Sequence, residues 1–270
     1  MSTFSTPCDL AHRLPPLLSA FMELESSLSR RFREDSLSDL VVASFLQLPG
    51  MPVAVLTPDE TRTGSDFDLE LVDPLTKTTI RYRIQAKRLG HRTVNWKNRS
   101  YSHLAHPNGT GGQAKTLCNP TNLGGPIPTI PLYAFFNHET VCMSSGAPGI
   151  ALADAFAVEN LITTSLAKTP RPLFKRISAL QHLFFGLETI LCPPKPSAGR
   201  GVASPRESRD AFDAALRARS EGPSVASTDR LVPQPGPAQA DQLVALRARE
   251  RRPVRTAATK RPRIIVATEQ

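Results

Sequence analysis

No run of about 18 apolar residues occurs in this chain, so no membrane-spanning helix is expected. The opening stretch MSTFSTPCDLAHRLPPLL lacks the basic start and the long apolar run of a secretory leader. Cysteine is scarce: Cys8, Cys118, Cys142 and Cys192 lie far apart and form no CxxC pair. That spacing argues against a zinc site or a disulfide framework and fits a reducing, cytoplasmic setting. His91, His103, His106 and His138 lack a ligand spacing such as HxxxH on a helix, which argues against zinc a second time. The stretch GTGGQAK lacks the GKS or GKT ending of a phosphate loop and follows no clear strand, so nucleotide binding through it is not expected. No cysteine has the His/Asp context of a thiol nucleophile, and no internal repeat is visible.

What is present is enough apolar material for a core. The chain has 270 residues, 40% of them hydrophobic, which excludes wholesale disorder. Its net charge of +9 is compatible with nucleic acid or an acidic partner. The excess sits late: residues 195–270 hold 15 lysines and arginines against 8 aspartates and glutamates.

Hydrophobic spacing predicts helices in LPPLLSAFMELESSLSRRF and in EDSLSDLVVASFLQLPG, the second capped by Ser36 or Asp35. PVAVLT (52–57) reads as a strand, followed by alternating strands near 66–72 and 78–87 around the turn DPLTKT. From Gly90 to Pro131 the pattern lapses into Asn, Gly, His and Pro, and a loop of that length is usually functional or partly disordered. A short helix is expected near Gln113, a strand at PLYAFF (131–136), and helices over 149–167 and 172–191. Residues 1–192 are read as one α/β domain with a mixed sheet flanked by helices. Residues 193–236 read as a flexible linker, and 237–270 as a basic tail with a helix at 238–250 and a strand at 263–268 free to return and pair with the main sheet.

The hairpin TGSDFDLELVDPLTKTTIRYRIQAKRL carries most of the functional information. Alternation puts Phe67, Leu69, Leu71, Ile80, Tyr82, Ile84 and Ala86 on one face. Asp66, Asp68, Glu70, Arg81, Arg83, Gln85 and Lys87 take the other. A register centred on the turn sets Asp66 opposite Gln85, Asp68 opposite Arg83 and Glu70 opposite Arg81. The plain reading is a solvated, salt-bridged face worth a few tenths of a kcal/mol per pair. The sharper reading concerns the open end, where a carboxylate (Asp66), a side-chain amide (Gln85) and an ammonium (Lys87) converge. Phosphodiester hydrolysis needs a hard cation held by oxygen and a positioned water, and these three groups can supply both.

An aspartate followed across a hairpin by Glu/Gln-x-Lys resembles the PD-(D/E)xK nuclease superfamily, the restriction-endonuclease-like fold. Thr63-Gly64-Ser65-Asp66 and Gln85-Ala86-Lys87-Arg88-Leu89 are most similar to its branch with Gln in place of Glu, as in Mrr-type restriction endonucleases. They also resemble uncharacterised bacterial and phage proteins with a TGAD…QAKRL pattern, in which Tyr101, Leu104, Gln113 and PLYAFFN have counterparts. The likeness covers about residues 30–140. It implies Asp66, Gln85 and Lys87 as catalytic residues, and Mg²⁺ or Mn²⁺ held by Asp66, Gln85 and a glutamate on the preceding helix. Glu34 is the choice, with Glu60 and Asp39 as rivals; Gln113 and Tyr101 would support the site. The resemblance also implies nucleic-acid cleavage, DNA foremost, in a bacterial or phage defence setting; lacking an apolar span, the chain is expected to have no membrane partner.

Arg88, Arg92, Trp96, Lys97 and Arg99 mix cations with an aromatic, a composition suited to phosphate contact and base stacking. The basic run ARERRPVRTAATKRPR would add nonspecific electrostatic contact. Three functions stay open: a metal-dependent nuclease, a catalytically silent nucleic-acid-binding module of the same fold, and a protein-interaction protein. Oligomeric state is open too, a dimer included.

Overall fold

The computed structural model describes residues 3–28, 32–48, 54–73, 76–90, 95–105, 112–168, 173–194, 201–219 and 266–267. Helix α1 (Pro7–Glu23) starts where the Thr6 side chain accepts a hydrogen bond from the Asp9 amide, and Pro7 occupies a first-turn position that needs no amide donor. Helix α2 (Glu34–Leu46) follows. Its N-cap is Arg33, which makes no capping bond, so neither Ser36 nor Asp35 caps it. Strand β1 (Ala54–Leu56), the single turn α3 (Glu60–Thr63), and the hairpin strands β2 (Phe67–Asp73) and β3 (Thr78–Arg88) come next. The long irregular stretch holds α4 (Gln113–Leu117), as expected, and α5 (Pro120–Leu123). Then come β4 (Thr129–Phe136), α6 (Glu139–Ser145), β5 (Ile150–Asp154), α7 (Ala155–Leu166), α8 (Ile177–Leu180), β6 (Phe185–Gly186), α9 (Glu188–Leu191) and α10 (Pro205–Arg219). Strand β7 (Val266–Ala267) closes the described chain.

The sheet runs β1-β2-β3-β4-β5-β6 and is mixed: β3 and β4 are parallel, the other neighbours antiparallel. Strand β7 lies parallel to β2 through Leu71 and Val72, so the late strand does rejoin the sheet. The hairpin register is the expected one, with Asp68 opposite Arg83 and Glu70 opposite Arg81.

Helices cover both faces. On one face Leu14 and Met22 of α1, Val41 and Phe45 of α2 and Phe212 of α10 pack on Leu69, Tyr82, Leu132 and Leu152. On the other, Leu117 of α4, Val158 and Ile162 of α7 and Leu180 of α8 pack on Tyr133, Phe135, Ala151 and Ala153. Period-two alternation along β4 and β5 divides their side chains between two cores, so all eight residues of β4 are buried.

Four expectations need correction. The stretch 149–167 begins as strand: β5 is buried throughout against β4, and helix starts only where the Asp154 side chain accepts from the Ala157 amide. The stretch 172–191 is broken into short pieces, because its apparent stripe serves two cores: Ile177, Leu180 and Phe184 face one and Leu187 the other, while Leu173 is 59% exposed. Part of the supposed linker 193–236 is α10, whose Ser208 hydroxyl bonds both the Tyr82 hydroxyl and the Ile190 carbonyl. Cys8 and Cys192, which spacing argued against pairing, form a disulfide that joins α1 to the end of α9. The anticipated helix at 238–250 lies outside the described residues. Among the described residues no helix is long and apolar enough to cross a membrane.

Candidate active site

Thr63-Gly64-Ser65-Asp66 is the bend that delivers Asp66 to the end of β3. Gly64 ends α3 with a φ of +72°, and a Cβ there would stand 2.8 Å from the Gln113 carbonyl oxygen and the Leu117 amide nitrogen. Only glycine allows both the left-handed turn and this approach of α3 to α4. The Asp66 amide then donates to the Ile84 carbonyl at 2.9 Å, continuing the ladder. Its carboxylate Oδ2 accepts from the Ala86 amide at 2.7 Å and from the Gln85 Nε2 at 2.6 Å. Loss of solvation raises the Asp66 carboxyl to about 7; Lys87 opposes that shift, and Glu34 and Glu60 add to it.

Lys87 is 2% exposed, and its Nζ donates to Glu34 Oε1 at 3.0 Å. The other Glu34 oxygen accepts from the Arg88 amide at 3.0 Å. Glu34 thus reaches the site as the counter-charge of the lysine. Of its rivals, Glu60 also arrives, accepting a 2.7 Å bond from Gln113 Nε2, while Asp39 is exposed on α2. Glu34, Glu60 and Gln113 are each the first residue of a helix, so three helix starts surround Asp66.

Three buried polar atoms beside these groups have no partner: Gln85 Oε1, Gln113 Oε1 and the Tyr133 hydroxyl. Tyr133 stands beside Gln85 in the parallel β3–β4 register. Burial pushes its phenol far up, so it stays protonated as a donor. Sequence reading missed Tyr133 because it sits in an apolar strand run, and only the pairing of β3 with β4 reveals its neighbour. Orphaned buried oxygens are rare in folded chains and call for a ligand or ordered water. A desolvated carboxylate, amide oxygens and no sulfur or imidazole form a donor set that fits a hard cation such as Mg²⁺. The carboxylates alone do not make the set. Among the described residues, the only three His, Cys, Asp or Glu ligand atoms within 4.8 Å of one another belong to Cys8, His12 and Cys192, away from this site.

Other expected site residues are placed elsewhere. Tyr101 is fully buried in the second core, its hydroxyl donating to Asn137 Oδ1, and it supports the fold there. Arg88 is ion-paired with Glu25, and Arg99 is buried beside Thr140. As nucleic-acid contacts these two are corrected, because their charges are held inside. Lys97 is exposed with its ammonium 5.7 Å over the half-buried Trp96 ring. Arg92 lies outside the described residues. The rest of the hairpin's polar face is also corrected: Asp68, Glu70 and Arg83 are buried, and Arg83 grips Asp68 through Nε at 3.1 Å and Nη2 at 2.9 Å. His138 is buried against the Leu89 carbonyl, and burial lowers its pKa to about 4.

No curated protein matches this chain significantly. A family model described as a family of unknown function, DUF6615, matches residues 7–270. That match spans almost the whole chain, and the protein belongs to DUF6615.

Proposed function

We propose that this protein is a metal-dependent nuclease of PD-(D/E)xK type that hydrolyses phosphodiester bonds of nucleic acid, DNA foremost. The observation that carries the reading is the meeting, at the end of β3, of a desolvated Asp66, the Gln85 amide and a buried Lys87. The order α2, β1, β2, β3, α4, β4 supports it, since the motif lies on a hairpin between one helix and a following helix and strand.

Mg²⁺ or Mn²⁺, held by Asp66 and the amide oxygen of Gln85, would supply Lewis-acid stabilisation of charge on the phosphoryl oxygens. The chain's own residues do the positioning. The Ala86 amide and the Gln85 amide fix the Asp66 carboxylate against rotation. Glu34 holds the Lys87 ammonium in a site where water is largely excluded, so its charge acts at short range on an attacking water and favours the hydroxide form. Glu60 orients Gln113, whose free oxygen remains to accept from water or substrate.

A second reading rests on Gln85 itself: an amide where a second carboxylate would bind metal more tightly suits a silent nucleic-acid-binding module. Incubating plasmid and single-stranded DNA with the full chain and Mg²⁺ or Mn²⁺ separates the two. Cleavage that Asp66→Ala and Lys87→Ala each abolish is the expected result. Salt-sensitive DNA binding without cleavage selects the silent module. Neither cleavage nor binding sinks both.

A further inference from the structure

Cys8, His12 and Cys192 form a cluster that the proposed nuclease site does not use. Cys8 and His12 are four residues apart on α1, hence on one helical face, and Cys192 follows α9. Their ligand atoms all lie within 4.8 Å of one another, and Cys192 Sγ is 3.6 Å from His12 Nε2. His12 is exposed and both cysteines are partly exposed, which leaves an entry path. The backbone around the cluster is anchored: the Cys8 amide donates to the Gly201 carbonyl and the Ala203 amide to the Leu191 carbonyl, both at 2.9 Å.

A disulfide persists in an oxidising compartment and opens in a reducing one. Once it opens, the same anchored backbone presents two thiols and one imidazole at a single point. That set suits a soft or borderline divalent cation, with a fourth position left to water. We propose that Cys8, His12 and Cys192 are a redox-gated site for a zinc-type cation, clasping α1 to the end of α9 in either redox state. This inference is independent of the nuclease reading.

The chemistry balances in both directions. On loading, two thiols release two protons, and two thiolates and a neutral imidazole bind one Zn²⁺. On oxidation by a small-molecule disulfide, the thiolates join as the Cys8–Cys192 bond. In that exchange one thiolate first attacks the oxidant's sulfur–sulfur bond, which breaks to release one thiol, and the second attacks the resulting mixed disulfide to close Cys8–Cys192 and release the other; the two released thiols take two protons from solvent, and Zn²⁺ leaves.

Cobalt titration of the full chain tests it. Protein reduced with a phosphine and protein left oxidised are each titrated with Co²⁺ under excess Mg²⁺. The reduced chain is expected to take one cobalt with the visible bands of tetrahedral coordination and a near-ultraviolet sulfur-to-cobalt band, and to release it to Zn²⁺. The oxidised chain is expected to show neither band. Cys192→Ser should weaken binding and reduce the sulfur band, Cys8→Ser/Cys192→Ser should remove that band, and His12→Ala, at an exposed position, should weaken binding at least about tenfold. A Cys118→Ser/Cys142→Ser variant should bind like the parent. A reduced chain that binds no cobalt overturns the proposal, as does a sulfur band that survives Cys8→Ser/Cys192→Ser or one that needs Cys118 or Cys142.

Discussion

Asp66 is an acid whose folded-state pKa, about 7, lies above the unfolded value of about 3.9. Between those values the folded chain binds the extra proton, so raising pH across that window costs stability, on the order of a few kcal/mol, and the cost is complete above about 7. Asp154, raised to about 6 by burial, adds to the same slope. His138, whose pKa burial lowers to about 4, gives a slope of opposite sign up to its unfolded value of about 6.5. The two carboxyls together outweigh it, so urea midpoints should fall from pH 4 to pH 8. Asp66→Asn should flatten that fall in part and be more stable than the parent at pH 8, while losing cleavage. Mg²⁺ should raise the pH 8 midpoint of the parent and leave that of Asp66→Asn unchanged. A second residue-scale prediction concerns Lys87. Glu34→Gln leaves a buried ammonium without its counter-charge and should cost about 2–3 kcal/mol. Adding Lys87→Met to that variant should restore part of the loss, and a double-mutant cycle in urea reads the coupling.

At the scale of elements, the bend at Gly64 holds α3 against α4 and so places Glu60 and Gln113 together. Gly64→Ala would force a strained left-handed residue into two backbone atoms and should cost at least about 2 kcal/mol. Gly125, where a Cβ meets nothing within 4 Å, is the control, and Gly125→Ala should stay within about 0.5 kcal/mol of the parent. Chemical denaturation of the two variants side by side decides this. The hairpin that carries the site was legible residue by residue, because alternation and a centred turn leave few registers. The strand-to-helix change at Asp154 was not. GIALADAFAV is apolar apart from Asp154, and its two halves carry the same kind of side chain on either side of that cap.

Across the whole molecule, α10 is a structural part of the domain. Phe212 packs edge-on against Tyr82 and Phe185 and is almost fully buried. Phe212→Ala should cost about 3–4 kcal/mol. A chain stopped after residue 194 uncovers this apolar face and should fail to give a cooperative melt. A chain stopped after residue 219 keeps α10, loses β7, and should melt within a few degrees of the parent. Thermal melts of the two truncations distinguish a packed helix from a linker at this point.

Local pattern was enough for the class of fold, the hairpin and its register, the helix near Gln113, and the facing of Asp66, Gln85 and Lys87, since these follow from periodicity two and from turn chemistry. Packing across long sequence separations settled the rest. It buried Asp68 and Arg83 under a second helical layer, brought Glu34 to Lys87 and Tyr133 to Gln85, turned Arg88 and Arg99 inward, and joined Cys8 to Cys192. Contacts of that kind depend on which faces meet in three dimensions, and a one-dimensional pattern records each face without recording its partner.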